Sequence, residues 1–339
     1  MQFDIKKIRL SLKNPWTISR NSSSYKDNVF VKLEKDGITG YGEAAPNIRY
    51  GENPDLTMSK IEDAVSSLEA VDFLHYTDVD RLLNQSISGQ SCAKAALDIA
   101  LMDWIGKSAG LPLYQLFGLN PDRIPGTSFS IGIDTKENVI RKVKNALDFP
   151  VLKIKVGYDG DEEMVTWVRS ITDKPIRVDA NEGWKSKETA LEKILWLQSQ
   201  GVELIEQPLP YQMINETAWL RERISIPVIA DEAVKKASDI AGLIGAYDGI
   251  NIKLMKSGGI QEALRMIHVA KTLNLKIMVG CMIESSVAIS AAAHIAAHAD
   301  WVDLDGNLLI KNDPFTGIGI EKGKLMLSEN PGLGVRPTL

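Results

Sequence analysis

The sequence predicts an α/β fold, a modified TIM barrel of the (β/α)7β type that follows an N-terminal α+β capping domain. Two observations predict the barrel. From residue 123 onward strand and helix patterns alternate, whereas the first 122 residues have strands followed by helices. In addition, charged residues close short apolar runs about every 25 residues, the length of one βα unit. These residues are Lys155, Asp179, Glu206, Asp231 and Lys256. Because the carboxyl ends of barrel strands meet at one mouth, the spacing predicts a single active site.

The composition narrows the class of ligand. The chain has 339 residues, enough for about two domains, with 44% hydrophobic and 24% charged residues and a net charge of −5. No long basic run occurs, which argues against a nucleic-acid or membrane partner. Two distant cysteines and a start without an apolar signal core predict a cytoplasmic protein. We therefore expect a small-molecule ligand.

The capping domain is predicted to span residues 1–122. Apolar and polar residues alternate in three strands, and Asp36-Gly37 provides a hairpin turn. Helical periodicity follows in three segments. The strands are Phe3–Leu12, Asn28–Leu33 and Thr39–Glu43, and the helices are Asp55–Ala70, Asp78–Gln85 and Ser91–Ser108.

The segment 14–26 is polar and contains three consecutive serines, so it is predicted to be a loop. The simpler interpretation is a solvated connection between two strands. The functional interpretation is a lid over the barrel mouth, in which Arg20 is the candidate that binds an anion.

The barrel is predicted to span residues 123–305, and its last helix is missing or replaced. Residues 306–339 are expected to return to the capping domain, with a strand in LMLSENPGLGV. Eight strands fit a closed barrel. They are Thr127–Ile133, Val151–Lys155, Ile176–Asp179, Leu204–Glu206, Val228–Asp231, Gly249–Lys253, Lys276–Gly280 and Val302–Asp305.

Two lysines share one face of the second barrel strand. Alternation in VLKIKVG places Lys153 and Lys155 on the face opposite Leu152, Ile154 and Val156. If the apolar face packs on the helices, both amines point inward. Burial and mutual repulsion then predict depressed pKa values, which would suit a general base. A half-exposed strand with a solvated lysine face is the alternative.

Three carboxylates close consecutive strands. Asp179, Glu206 and Asp231 each stand where a strand ends, so their oxygens are expected to meet. Hard oxygen donors with room for water suit Mg²⁺, one ion per subunit. Asn181 and Glu232 are neighbours that could orient these ligands. Each acid alone could instead be a helix cap, but three in register favour the metal site.

Lys256 follows the sixth strand in KSGG, so Lys155 and Lys256 are expected to flank the metal from opposite sides. A metal and a lysine stabilise the enolate formed when a proton leaves a carbon α to a carboxylate, and a second lysine can return the proton to the other face. His294 and His298 stand four residues apart, but no acid lies between them, so a zinc pair is disfavoured.

The sequence resembles the enolase superfamily, in the muconate lactonizing enzyme subgroup, over nearly the whole chain. The motifs that match are KIK, DANEGW, IEQP, ADE and KSGG. Within the subgroup it is most similar to dipeptide epimerases. The resemblance implies that Asp303 and Asp305 bind a dipeptide's ammonium group and that Glu284 and Ser286 line the pocket. It also implies that Arg20 binds an acidic side chain and that Lys153 binds substrate.

We therefore predict a Mg²⁺-dependent isomerase that inverts the α-carbon of the C-terminal residue of an alanine-containing dipeptide. A homo-oligomer is expected. The alternatives within the subgroup are a syn-dehydratase such as o-succinylbenzoate synthase and a muconate cycloisomerase, neither of which needs an acid pair that binds ammonium. The alternative from another class is a catalytically silent barrel that acts as a binding protein.

Overall fold

The computed structural model describes residues 1–68 and 71–338. Glu69 and Ala70, the predicted end of the first helix, lie outside the described residues. The strands are β1 Gln2–Ile18, β2 Asn21–Lys35, β3 Ile38–Ala44, β4 Ser128–Ile131, β5 Val151–Lys155, β6 Ile176–Asp179, β7 Val202–Glu206, β8 Val228–Ala230, β9 Gly249–Lys253, β10 Lys276–Gly280, β11 Trp301–Asp303, β12 Phe315–Thr316, β13 Gly319–Glu321, β14 Lys324–Met326 and β15 Arg336–Pro337. The α-helices are α1 Pro54–Val65, α2 Tyr76–Ser86, α3 Ser91–Ala109, α4 Leu113–Leu116, α5 Lys136–Asn145, α6 Asp161–Arg169, α7 Lys187–Ser199, α8 Ile214–Arg221, α9 Leu254–Ser257, α10 Ile260–Thr272 and α11 Ser286–Ala293.

The N-terminal part is an antiparallel sheet of order β1-β2-β3 covered by helices. The alanine-rich helix α3 packs closely on β3. A Cβ atom added at Gly40 would lie 2.1 Å from the carbonyl oxygen of Ala100, and one at Gly42 would lie 1.9 Å from that of Ala96. Small residues on both surfaces are therefore what permits this contact.

Eight parallel strands form the barrel in the order β4 to β11, which confirms the predicted fold class. The ring closes between its first and last strands, because Thr127 forms a parallel bridge with Val302 and its hydroxyl accepts a hydrogen bond from the backbone N–H of Leu304 at 2.7 Å. Most apolar residues of these strands are buried, as in β5, where Leu152 and Ile154 are fully buried. This arrangement directs the strand ends, and the charged residues there, to one mouth.

The loop predicted at 14–26 is wrong. Strands β1 and β2 continue through it as a long hairpin that turns at residues 19 and 20, with a register shift between Ser11 and Trp16. The hairpin end packs on the barrel, since the carbonyl oxygen of Thr17 accepts a hydrogen bond from the backbone N–H of Ile133 at 2.9 Å. Trp16, Thr17 and Ile18 have the side chains that favour strands, and the polar serines concealed this signal.

The C-terminal segment contacts both parts of the molecule. Leu12 forms an antiparallel bridge with Ile310, and the backbone N–H of Leu113 donates to the carbonyl oxygen of Gly332 at 3.0 Å. The strand predicted over 325–335 is mostly wrong, because only its first residues belong to β14. Gly332 and Gly334 adopt positive φ angles of 72° and 69°, which end any extended run.

In the portion of the chain that the structure describes, no helix combines the length and apolarity required to traverse a bilayer.

Glu43 links the N-terminal sheet to the barrel. Its buried carboxyl accepts hydrogen bonds from the Asn28 amide at 2.8 Å, from the Ser285 hydroxyl at 2.6 Å and from the backbone N–H groups of Ser285 and Ala288 at the start of α11. Burial raises the pKa of Glu43 to about 7, although these donors oppose the rise.

We predict that Glu43→Ala lowers the free energy of unfolding by about 3 kcal/mol, because it leaves several buried donors without an acceptor. Urea unfolding followed by fluorescence measures the loss. Glu34→Ala, at a half-buried position on β2 where the side chain pairs with Lys32 at the surface, is the matched control and should change stability by less than about 1 kcal/mol. Equal effects of the two substitutions would contradict the linking role.

Candidate active site

Three buried carboxylates lie together at the barrel mouth. Asp179 ends β6, Glu206 ends β7 beside it, and Asp231 follows β8. One oxygen from each carboxylate lies within 4.8 Å of the other two. The strand register therefore brings together the acids whose spacing predicted a cluster.

These residues fit a magnesium ion. An octahedral Mg²⁺ holds oxygens at about 2.0–2.1 Å, so two ligand oxygens are at most about 4.2 Å apart, and small side-chain rotations suffice here. Burial, then the charge of Asp179, raises the pKa of Glu206 to about 7, which a bound cation would reverse. The backbone N–H of Asn181 donates to Asp179 at 2.9 Å, and the Asn181 amide donates to Glu232 at 3.4 Å. Asn181 thus helps to orient Asp179, and Glu232 contacts Asn181 and Arg20.

Glycines let the loops beyond these strands cross. A Cβ atom at Gly157, after β5, would lie 2.2 Å from the carbonyl oxygen of Ala180, and one at Gly183 would lie 2.2 Å from that of Gly157. Gly157 also has a φ of 90°. The glycines of KIKVG and DANEGW therefore position the loop that carries Asn181.

Both lysines of β5 point into the mouth, where they neutralise carboxylates. The amine of Lys155 lies 2.6 Å from Asp179, and that of Lys153 lies 2.7 Å from Glu206 and 2.6 Å from Asp303. The prediction of a depressed pKa is wrong for Lys153. Burial alone would lower that pKa, but Asp303, Glu206 and Asp179 outweigh burial and raise it well above the usual value.

The lysine opposite Lys155 is Lys253, and the prediction of Lys256 at this position is wrong. The side chain of Lys253 lines the cavity and its amine lies 2.7 Å from Asp231. Lys256 lies behind Asp231 and is not among the residues that line the cavity. Its amine donates to Asp231 and to the carbonyl oxygen of Asn251, and although burial lowers its pKa, its position keeps it from a ligand.

Strand alternation could have found Lys253. In GINIK, residues two apart share a face, so Asn251 and Lys253 point inward while Ile250 and Ile252 pack outward. The Asn251 amide donates to Glu206 at 2.7 Å, which confirms the inward face. The KSGG motif instead favoured Lys256, which lies three residues past the end of the strand.

Asp303 and Asp305 lie side by side at the end of β11, across the barrel from the cluster of Asp179, Glu206 and Asp231. Ser128 donates to Asp303 at 2.7 Å, and the backbone N–H of Ser130 donates to Asp305 at 2.6 Å. Burial opposes ionisation of Asp303, but Lys153 outweighs it and lowers the pKa to about 2. Burial, together with the charge of Asp303, raises the pKa of Asp305 to about 7. A cation that binds here would meet the ionised carboxylate of Asp303. Its positive charge would also favour loss of the proton from Asp305.

The prediction that Glu284 and Ser286 line the pocket is wrong. After β10 the chain crosses the mouth with Met282 and Ile283, which do line the cavity, and then turns into α11. Glu284 accepts a hydrogen bond from the backbone N–H of Met282 at 2.7 Å, and Ser286 donates to Asp313 at 2.7 Å. Both side chains are buried behind the wall.

Arg20 extends from the hairpin turn to the barrel mouth, where its guanidinium pairs with two carboxylates. Its guanidinium lies 2.8 Å from Glu182 and 2.7 Å from Glu232, and it also donates to the carbonyl oxygen of Asn181. Arg49 lies 2.8 Å from Glu182. We call the pairs of Arg20 with Glu182 and Glu232 the latch. The latch fastens the hairpin over a cavity of about 420 Å³.

The histidine pair is not a metal site. The ring of His294 is buried, and its Nδ1 atom accepts from the backbone N–H of Tyr114 at 3.1 Å. His298 instead lies 2.8 Å from the amine of Lys271.

The capped barrel and its cluster of acids and lysines define an enolase-like enzyme. Residues 3–118 match the N-terminal domain model of mandelate racemase and muconate lactonizing enzyme, and residues 135–338 match the enolase C-terminal domain-like model. The chain belongs to the mandelate racemase/muconate lactonizing enzyme family of the enolase superfamily. This confirms the predicted family, and the epimerases among its relatives confirm the prediction of an isomerase.

Similar proteins include several epimerases. The chain is 43% identical over 333 residues to the L-Ala-D/L-Glu epimerase of Bacteroides thetaiotaomicron, covering 96% of this chain and 85% of that one. It is 41% identical to the L-Ala-D/L-amino acid epimerase of Pedosphaera parvula, covering 96% and 97%. The dipeptide epimerase of Cytophaga hutchinsonii complexed with Mg and D-Ala-L-Val has a TM-score of 0.94 and 31% identity, covering 99% and 95%. The N-succinyl Arg/Lys racemase of Bacillus cereus has a TM-score of 0.93 and 31% identity, covering 99% and 95%.

We predict that Mg²⁺ binds more weakly as the pH falls through about 7, because a ligand carboxylate must lose its proton before it binds the ion. The pKa of Glu206 is raised to about 7, so the dissociation constant should rise up to about tenfold per pH unit below that value. Isothermal titration calorimetry between pH 5.5 and 8.5 measures this. Glu206→Gln should bind weakly with a flatter pH profile, and strong binding by this variant would refute the assignment.

Proposed function

We propose that the protein is a Mg²⁺-dependent dipeptide epimerase that inverts the α-carbon of the C-terminal residue of an alanine-containing dipeptide. The observation that carries the proposal is the presence, in one cavity, of the Asp303–Asp305 pair, two opposed lysines and the three-carboxylate cluster. The named epimerases among its relatives support the same substrate class.

The carboxylates of Asp179, Glu206 and Asp231 would hold one Mg²⁺ per subunit. The ion's chemistry is to stabilise the negative charge that develops on the substrate carboxylate when the adjacent carbon loses a proton. Lys153, between Glu206 and Asp303, is positioned to add a second positive charge at the same carboxylate.

Lys155 and Lys253 would act on opposite faces of the α-carbon. Their strands, β5 and β9, are four apart in an eight-stranded ring, so the two amines approach from opposite sides. One amine removes the proton and the other donates one to the opposite face, which inverts the configuration. Burial would lower the pKa of Lys253, but Asp231 and Glu206 raise it well above its usual value. Engagement of those acids with a cation would withdraw this effect and ease loss of the proton.

The acid pair separates this function from its alternatives. A dipeptide's free α-ammonium suits two buried carboxylates, whereas the substrates of a dehydratase or a cycloisomerase have no such cation. In an N-succinyl amino acid the α-nitrogen is acylated and uncharged, so a cation at that end of the substrate is missing as well. A silent barrel would have no chemical use for opposed buried lysines, which are costly to bury.

Lys155→Ala and Lys253→Ala should each abolish epimerisation while retaining exchange of the α-proton in one substrate isomer, because one amine remains. Deuterium exchange from heavy water, followed by NMR for each isomer, provides the measurement. Lys256→Met is the contrasting variant, and it should affect both isomers equally through Asp231. If Lys256→Met abolished exchange of one isomer only and Lys253→Ala did not, the assignment of the second base would be reversed.

N-acetylation of the dipeptide should lower kcat/KM at least about a hundredfold, because it removes the charge that pairs with the buried carboxylates of Asp303 and Asp305. Asp305→Asn should reduce this discrimination and leave Mg²⁺ affinity nearly unchanged, since the ion lies on other strands. Steady-state kinetics with matched free and acetylated dipeptides test both. Equal turnover of the two substrates would favour an N-acyl amino acid racemase.

A further inference from the structure

Six cationic side chains line the active-site cavity, and five of them face carboxylates. Arg20 and Arg49 pair with Glu182, and the three inward lysines pair with the acids of the cluster. The sixth is Lys26 on β2. Within residues 1–68 and 71–338, no carboxylate oxygen lies within 4 Å of its amine and no hydrogen-bond acceptor is in reach.

The side chain of Lys26 is directed toward the barrel. Lys26 stands opposite the fully buried Leu10 in the hairpin register and shares a face with Asn28, whose amide donates to the carbonyl oxygen of Ile283 at 3.0 Å. Asp27, on the other face, instead pairs with Arg9. Burial lowers the pKa of Lys26, with no anion to offset the cost. A partly buried ammonium without a partner is expensive, so it points to an absent anion.

The proposed function leaves one direction for the side chain of the epimerised residue. The carboxylate cluster and the Asp303–Asp305 pair hold the two ends of the dipeptide, and the amines of Lys155 and Lys253 occupy the two faces of the α-carbon. The side chain must then extend out of the barrel toward the hairpin. There it meets Trp16, Ile18, Arg20 and Lys26.

We propose that Lys26 is a specificity-determining residue that binds an anionic group on the side chain of the epimerised residue, so that the preferred dipeptide ends in an acidic amino acid. This rests on the proposed function. It replaces Arg20 in that role, because the two carboxylates of the latch already neutralise Arg20. Among the described residues that line the cavity, Lys26 is the cation without a carboxylate partner.

The test uses the full-length enzyme with Mg²⁺ and two matched dipeptides, L-Ala-L-Glu and its neutral isostere L-Ala-L-Gln. We expect the wild-type ratio of kcat/KM for the acidic over the neutral substrate to be about 10 to 100, and Lys26→Met to remove most of it, mainly through KM. Lys26→Arg should preserve the ratio. Lys32→Met, on the same strand in a pair with Glu34, is the matched control and should leave the ratio unchanged.

A wild-type ratio near one would overturn the inference, as would a Lys26→Met ratio equal to that of the wild type. Loss of the ratio in Arg20→Met but not in Lys26→Met would also overturn it and return the role to Arg20. In each of these cases turnover of L-Ala-L-Gln would leave the proposed function standing. If the wild-type enzyme incorporated deuterium into none of the dipeptides, both the proposed function and the role of Lys26 would be wrong.

Discussion

The balance of buried charge at the barrel mouth is the constraint on which the rest of the structure depends. Lys153, Lys155 and Lys253 are buried among carboxylates, and each group alone would be very costly to remove from water. The parallel strands make the arrangement possible, since their register places acids and amines at one level. If one charge of this cluster is removed, another charge is needed to neutralise the buried groups that remain. A divalent cation and an ionised substrate are suited to supply it.

The same balance extends to the hairpin. Glu182 and Glu232 stand next to the metal-ligand candidates, and Arg20 and Arg49 hold them from above. The position of the hairpin is therefore tied electrostatically to the cluster beneath it. Because the two carboxylates of the latch neutralise Arg20, the latch closes the cavity without providing a free charge to a ligand. Lys26 on β2 lines the same cavity but lies outside that network.

The barrel, the three acids and the inward lysines of β5 could be predicted from the sequence. Each follows either the repeat of the βα unit or the two-residue alternation of a strand, and the folded protein keeps both. Lys253 obeys the same period as Lys153 and Lys155, but a glycine motif nearby suggested Lys256. Glu284 and Ser286 are polar residues near the mouth, and only the turn into α11 decides that they face away from it. The hairpin strands at 14–18 and 21–26 depend on packing against the barrel, which a local polar pattern cannot reveal.

In the proposed function this charge cluster is a metal-assisted proton-transfer site that acts on the C-terminal α-carbon of a dipeptide. The most direct measurement is incubation of alanine-containing dipeptides with the enzyme and Mg²⁺ in heavy water, followed by mass spectrometry and NMR. We expect one deuterium, at the C-terminal α-carbon alone, and none when a chelator removes the metal. Deuterium at the N-terminal residue, exchange that persists without metal, or no incorporation into any dipeptide would contradict it.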